Sequence, residues 1–245
     1  IIILMAVMQL NGKSNEGQLK SKGSWLAASM LFIYAIAFSF GYVSLDTGTG
    51  ALILFGAVQI TMILASLISG SKLHFSEWLG LLIAFSGFVY LIIPDLATPS
   101  FIGFILMTIS GVAWGFYTLI GRSSQNPIND TAYNFLRCSP FVLILILFGL
   151  NDVHITYFGA ILALLSGAIA SGLGYVVWYI ALKEISVTQA AVVQLMVPIL
   201  AASGGVFFTN ELITLRLIES SALVLGGILT VVMGKYYFVQ LTSKQ

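Results

Sequence analysis

The sequence predicts an all-α polytopic membrane protein, on the basis of its composition, its uncharged runs and its lack of strand-like alternation. Of 245 residues, 59% are hydrophobic and only 8% are charged, whereas soluble domains carry about 25% charged residues. Five uncharged runs exceed the roughly 20 residues that span a hydrocarbon core: 23–45, 47–71, 96–121, 155–182 and 185–210. Because backbone polar groups must be satisfied inside lipid, and the runs do not alternate as barrel strands do, we expect helices.

Short polar segments divide the chain into eight predicted spans and one fragment. The fragment is IIILMAVMQL, which ends at Leu10 and has neither the basic leader nor the cleavage pattern of a signal peptide. The tripeptide Asn129-Asp130-Thr131 matches a glycosylation sequon, but we interpret it as the cap at the start of a helix. The predicted spans are 24–45, 50–70, 77–93, 100–121, 131–150, 157–182, 187–208 and 215–238.

An internal repeat organises these spans. A shift of about 140 residues places Asp46 beside Ser186 and Gly87 on Gly227, and it superimposes helices and breaks. The second copy contains five helices, an odd number, which predicts two copies of opposite orientation in the membrane. We therefore expect two inverted repeats of five transmembrane helices, 1–94 and 100–238, with the first copy truncated at its amino terminus.

The basic residues test this topology independently. If the connection that holds Lys20 and Lys22 is cytoplasmic, alternation places all of the ten basic residues except Arg137 and Arg216 on that side. An excess of Lys and Arg on the cytoplasmic side is what the positive-inside rule requires. The charge pattern therefore supports inversion of the two copies.

Small residues within the spans predict close helix packing. Gly111 and Gly115 form a small-xxx-small pair, and Ser203, Gly204 and Gly205 cluster in a later span.

Short motifs in the second copy carry a family resemblance. The span 100–121 has small residues and a Trp-small-x-aromatic-to-basic ending, and the later spans add aromatic, proline and glycine positions in a fixed order. The motif residues are Gly103, Ser110, Trp114, Gly115, Tyr117, Arg122, Arg137, Tyr175, Trp178, Ala181, Leu182, Pro198, Glu211, Gly226 and Gly227. In order and spacing they resemble the EamA-like members of the drug/metabolite transporter superfamily. Val58 and Ser71 depart from the family's proline and glutamate.

The resemblance implies a solute transporter of the cell membrane, expected to be the bacterial inner membrane. Members are often exporters of amino acids or other metabolites, working by alternating access around a central cavity between the two inverted copies. We therefore expect a small-molecule substrate and the lipid bilayer as partners. A homodimer stays open, as do two other functions, a channel and a non-transporting structural or sensory subunit.

Polar and aromatic residues deep inside spans are the candidates for substrate binding, because inverted-repeat transporters bind near the bilayer midplane. Trp114 lies about 12 Å along its helix from Arg122, which is mid-depth, whereas Tyr179 is close to Lys183 and is interpreted as part of an interfacial belt. The candidate substrate-binding residues are Tyr34, Gln59, Ser110, Trp114, Tyr117, Arg137, Tyr175, Trp178 and Gln194.

Each candidate also has a purely structural interpretation. The rings could pack between helices, and the amides of Gln59 and Gln194 could form ordinary interhelical hydrogen bonds. Arg137 could contact an anion or gate a path, or its long side chain could extend to the cytoplasmic headgroups.

Several functions are not expected. His74 and His154 lie in connections without a second ligand, so no metal site is predicted. No pair of carboxylates lies at mid-depth and Ser203 has no nearby base, so we expect no enzyme and no cofactor. The scattered basic residues give no nucleic-acid footprint.

Overall fold

The computed structural model describes residues 22–93, 100–149, 156–209 and 212–242. The predicted fragment ending at Leu10, and His154, lie outside these residues. The described residues form helices that follow the predicted spans closely: α1 Trp25–Gly41, α2 Thr47–Ile68, α3 Phe75–Ile92, α4 Phe101–Arg122, α5 Pro127–Gly149, α6 Tyr157–Ala181, α7 Val187–Val193, α8 Met196–Thr209 and α9 Leu215–Thr242.

Six of these helices are long and apolar enough to cross a membrane, namely α2 to α6 and the Leu215–Gly234 part of α9. Helix α1 and the segment Val187–Leu200 are shorter apolar helices. This confirms the all-α polytopic membrane class. The inversion of the two copies, and their boundaries at 1–94 and 100–238, stay predictions.

Two spans are less regular than predicted. In α6, the stretch Leu165–Leu173 is π-helical between two α-helical ends. The predicted span 187–208 is two helices, α7 and α8, separated at Gln194 and Leu195. Both irregularities lie inside apolar segments, where every freed backbone group needs a new partner.

The chain divides into two compact units that do not coincide with the sequence copies. Unit 1 consists of Ile1–Ile36 with Phe116–Glu184, and unit 2 consists of Ala37–Gly115 with Ile185–Gln245. Each unit therefore combines segments that are distant along the chain.

Unit 2 is built around close contact between α3 and α9. A Cβ on Gly227 would lie 2.5 Å from the Gly80 carbonyl oxygen and from the Ala84 nitrogen, and one on Gly87 would lie 3.0 Å from the Ser220 carbonyl oxygen. Only glycine allows two backbones to approach so closely. Around this contact lies an apolar core that includes Leu81, Phe88, Val192, Leu195, Val224 and Val231.

A second glycine contact joins α4 to α2 in the same unit. A Cβ on Gly111 would lie 2.4 Å from the Leu54 carbonyl oxygen, and one on Gly115 would lie 2.9 Å from Cγ2 of Thr61. The predicted packing role of this pair is confirmed. The same prediction is wrong for Gly204, which has nothing within 4 Å of its Cβ position.

Unit 1 is tied together at the end where α1 and α5 begin. The Gly23 N–H donates to Oδ1 of Asp130 at 2.7 Å, the Ser24 N–H donates to Oδ1 of Asn134 at 3.0 Å, and the Ser124 hydroxyl donates to Oδ2 of Asp130 at 2.5 Å. Gly23 has a φ of +62°, a conformation that favours glycine.

These bonds correct the interpretation of Asn129-Asp130-Thr131 as a cap for its own helix. Helix α5 already begins at Pro127, and the Oδ1 of Asn126 accepts the Asn129 N–H at 3.2 Å. The Asp130 side chain instead binds the chain just before α1.

Candidate functional site

The break between α7 and α8 releases backbone carbonyl groups inside unit 2. In a continuous helix the Leu195 N–H would bond to the carbonyl of Ala191, four residues earlier. Here it donates to the Val192 carbonyl at 3.0 Å, and the Val197 N–H donates to the Gln194 carbonyl at 3.1 Å. Pro198 follows and has no N–H to continue the ladder.

Two side-chain amides satisfy the released carbonyls. Nε2 of Gln59, on α2, donates to the Ala191 carbonyl at 2.5 Å. Nε2 of Gln194, at the break itself, donates to the Ala190 carbonyl at 3.0 Å. An unpaired carbonyl in apolar surroundings is costly, so the break and the two amides are parts of one arrangement.

Trp114 joins this arrangement from α4. Its indole Nε1–H donates to Oε1 of Gln194 at 2.5 Å, while Nε2 of the same glutamine also lies 3.3 Å from the Met62 sulfur. Three elements that are distant in sequence therefore meet at the break. We call Gln59, Trp114 and Gln194, with the break they contact, the amide cluster.

One atom of the amide cluster is unsatisfied. Oε1 of Gln59 is buried and has no hydrogen-bond partner among the described residues. Its orientation is fixed, because exchanging the two ends of the amide would turn an oxygen toward the Ala191 carbonyl oxygen. A buried acceptor without a donor costs about 1–3 kcal/mol. A ligand that offers an N–H or O–H group at this point would recover that free energy.

The helical segments that contain the amide cluster carry no formal charge. Residues 47–68, 101–115 and 187–209 contain no Asp, Glu, Lys or Arg. Ser110, one turn before Trp114 on α4, is fully buried. The chemistry available here is that of amides, a hydroxyl and an indole.

Unit 1 holds a separate set of predicted residues in an aromatic cluster. The Tyr117 ring centroid lies 6.0 Å from that of Tyr175 and 5.0 Å from that of Tyr179, and the Phe135 ring is 6.0 Å from that of Tyr175. Tyr34 is hydrogen-bonded to Tyr175.

Tyr179 corrects its interpretation as an interfacial residue. It is 1% exposed, and its hydroxyl donates to the Tyr117 carbonyl at 3.2 Å. Its ring covers Gly121, where a Cβ would lie 2.1 Å from a ring carbon. The sequence placed Tyr179 close to Lys183 and so suggested an interfacial position. Its burial instead depends on Gly121, which leaves room for the Tyr179 ring.

The remaining predicted residues of unit 1 have structural partners of their own. Nε1 of Trp178 lies 3.4 Å from the Thr118 hydroxyl oxygen, to which it donates. Arg137 donates to the Lys22 carbonyl, and its guanidinium carbon lies 5.7 Å from the Trp25 ring centroid and 5.8 Å from that of Tyr133. The Arg137 side chain thus extends back toward the start of α5, as a snorkelling side chain does.

The structure therefore brings Gln59, Trp114 and Gln194 together in unit 2, with Ser110 on the same helix as Trp114. It brings Tyr34, Tyr117 and Tyr175 together in unit 1. Trp178 and Arg137 contact other residues of unit 1, and their predicted roles in substrate binding stay predictions. Asp130 and Asn134 were not among the predicted site residues. A carboxylate and an amide one helical turn apart could have indicated that these side chains bind another part of the chain.

The described residues contain no group of three or more His, Cys, Asp or Glu side chains that could hold a metal ion.

Comparison with known proteins connects this architecture to a family. The model of the EamA-like transporter family matches residues 101–233, more than half of the chain. The chain belongs to the EamA-like transporter family. A protein of Pseudomonas aeruginosa described as uncharacterised is 47% identical over 208 residues, which cover 85% of this chain and 72% of the relative. An uncharacterised transporter of Archaeoglobus fulgidus is 28% identical over 236 residues, covering 94% of this chain and 83% of the relative.

Solved structures agree on the fold of this EamA-like chain. A chain in a crystal structure superimposes with a TM-score of 0.77, covering 95% of this chain and 83% of its own length at 16% sequence identity. The EamA-like chain is therefore a multi-pass membrane transporter with a small-molecule substrate, and bacterial relatives place it in the cell membrane.

Proposed function

We propose that this transporter exports a small neutral or zwitterionic solute, of the amino-acid type, and that the amide cluster forms part of its binding site. The observation that carries the proposal is the broken span at Gln194 and Leu195, whose released carbonyls are held by Gln59 and Gln194. Discontinuous helices near the midplane are the typical substrate sites of secondary transporters.

The lack of charged residues in the segments that form the amide cluster favours one class of solute. Desolvating a net charge among helices without ionisable residues would need a compensating charge that residues 47–68, 101–115 and 187–209 do not supply. A zwitterion brings both charges with it. Its ammonium group can donate to the unpaired Oε1 of Gln59, beside the carbonyl end of α7, and its carboxylate is favoured near the amino-terminal end of α8.

Export and alternating access belong to the same proposal and are supported by the family resemblance. The break offers a mechanical basis, because the two halves of the span are joined by turn hydrogen bonds and side-chain amides instead of a continuous ladder. Such a joint can change angle at lower cost than an intact helix.

The proposal is tested by counterflow in proteoliposomes loaded with neutral amino acids, with a nucleoside and a cationic amine as comparison solutes. Trp114→Phe keeps an aromatic ring but removes the donor to Gln194, and Gln194→Leu removes the amide contacts to Trp114, the Ala190 carbonyl and the Met62 sulfur. Each is expected to lower the rate of neutral amino-acid exchange about tenfold or more, equivalent to one buried hydrogen bond of about 1.4 kcal/mol.

Trp78→Phe is the matched control, because Trp78 lies on the exposed face of α3, and it should exchange at the native rate. Native-like exchange in both cluster variants would contradict the binding site. Transport of the cationic amine alone would contradict the solute class, and non-saturating solute flux without counterflow would identify a channel instead.

A further inference from the structure

Unit 1 contains an apolar cavity of about 410 Å³ between α1, α5 and α6. This volume is within the usual range of small-molecule sites, about 300–1,000 Å³. Its walls contain no charged side chain. The lining residues are Leu31, Phe32, Ala35, Phe135, Cys138, Ser139, Val142, Leu143, Ser171 and Tyr175.

The principal polar groups of the wall are already engaged by the protein. The Cys138 thiol donates to the Ala28 carbonyl at 3.2 Å, and the Tyr175 hydroxyl is hydrogen-bonded to Tyr34 and Ser171. The rings of Phe32, Phe135 and Tyr175 form much of the surface. Cavities of this kind exclude water and accept apolar groups.

One wall of the cavity continues onto an exposed face of α5. Val142 and Leu143 line the cavity and are 41% and 60% exposed, and Leu147 and Phe148 further along the helix are 70% and 87% exposed. An apolar face of this kind on a membrane-spanning helix is covered by hydrocarbon. The cavity is therefore reached from the bilayer by an acyl chain without leaving an apolar medium.

A cationic group lies near the end of the cavity where α1 and α5 start. Helices α1 and α5 start side by side, joined by the Ser24–Asn134 hydrogen bond. The cavity begins about 10 Å further along α1, at Leu31, and on α5 it begins at Phe135, the residue after Asn134. The Arg137 guanidinium lies back at the starting end, over the Trp25 and Tyr133 rings.

Arg137 keeps donors for an anion. A guanidinium has five N–H donors, of which the bond to the Lys22 carbonyl uses one. The Lys22 side chain is exposed beside it. Arginine with remaining donors is well suited to phosphate oxygens, and tryptophan and tyrosine at this level are typical of the headgroup region.

We propose that unit 1 binds one anionic membrane phospholipid, with an acyl chain in the cavity and its phosphate on Arg137 and Lys22. Charge complementarity matches such a lipid, and so does the position of the cation at the end of the apolar cavity where α1 and α5 start. The proposal does not depend on the solute or on the amide cluster.

Cys138 provides the reporter, because it is the single cysteine of the chain and it lines the cavity. The test measures the rate of N-ethylmaleimide labelling in delipidated protein in detergent, before and after adding phosphatidylglycerol. Diacylglycerol supplies the chains without phosphate, and glycerol phosphate supplies the phosphate without chains. Native mass spectrometry counts the bound lipids.

Phosphatidylglycerol is expected to slow labelling at least fivefold and to bind with a stoichiometry of one per chain. Diacylglycerol and glycerol phosphate should each slow labelling much less. Arg137→Gln should lose most of the protection, and Arg137→Lys should keep most of it. Arg216→Gln is the matched control, because the Arg216 guanidinium lies 5.5 Å from the Tyr90 ring centroid in unit 2. Phosphatidylglycerol should slow the labelling of this variant as much as that of the native protein.

Equal protection by phosphatidylglycerol and diacylglycerol would overturn the phosphate contact. If the buried Cys138 thiol does not react in folded, delipidated protein, native mass spectrometry decides the question, and the absence of bound phosphatidylglycerol would overturn the site. If Arg137→Gln does not fold, the three ligands on native protein still decide the question.

Discussion

The two units are held together by different means. In unit 2, glycines allow the backbones of α3 and α9 to touch, and side-chain amides repair a broken span. In unit 1, α1 and α5 are joined by polar bonds at their starting ends, and further along both helices line the cavity.

The difference shows what stabilises a helical unit inside a bilayer. Lipid tails are as apolar as leucine side chains, so burying apolar surface between helices contributes little, and close packing and hydrogen bonds decide the association. Unit 2 has both in its interior. In unit 1, the hydrogen bonds from the backbone before α1 to side chains of α5 lie at one end, so substitutions should act at different places in the two units.

The largest effect is expected from Gly227→Ala in unit 2. The new methyl group would lie 2.5 Å from two backbone atoms of α3, and backbone cannot move aside as a side chain can, so the helices must separate. We expect the free energy of unfolding to fall by about 3 kcal/mol, the upper end for overpacking, as measured by denaturant unfolding in detergent.

The neighbouring Gly226→Ala is the control, because nothing lies within 4 Å of its Cβ position. It should be neutral or slightly stabilising, since alanine favours helix more than glycine does. Equal losses in the two variants would show that α3 and α9 are not in backbone contact.

A smaller effect is expected from Asp130→Ala in unit 1. This change leaves the Gly23 N–H and the Ser124 hydroxyl without their acceptor, which should lower the free energy of unfolding by about 2 kcal/mol. Hydrogen exchange should rise at the start of α1 and not in α3 or α9. Asn129→Ala should have little effect, because the bond seen at Asn129 is made by its backbone, and a comparable loss there would mean that Asp130 has no special role.

Composition and the spacing of polar residues were sufficient to predict the helical class and the approximate position of each span, but not the break in 187–208. They also predicted that Gly111 and Gly115 pack closely, because a small-xxx-small pair acts through its own helix face. They could not show which helix each glycine meets. Gly87 and Gly227 align in the repeat, yet Gly227 contacts α3 and Gly87 contacts α9, a pairing set by the three-dimensional arrangement.

The amide cluster was predicted in its members but not in its chemistry. Gln59, Trp114 and Gln194 stood out as polar or aromatic residues in apolar spans. The carbonyl that each amide would satisfy depends on where the ladder breaks, and Gln59 is 132 residues away from Ala191. Sequence patterns report periodicity within an element and are silent on such long-range pairs.

The smallest effect is expected from Trp178→Phe, which compares the indole bonds of the two units. Trp178 donates to Thr118 at 3.4 Å, long for a hydrogen bond, whereas Trp114 donates to Gln194 at 2.5 Å. Removing the first should cost about 0.5 kcal/mol of unfolding free energy, and removing the second about 1 kcal/mol or more, because Oε1 of Gln194 is then left unpaired. Trp78→Phe on the exposed face of α3 sets the baseline in the same thermal unfolding measurement. A loss of unfolding free energy at Trp178 as large as that at Trp114 would mean that the indole hydrogen bonds of the two units contribute equally. It would contradict the difference between the units at this point.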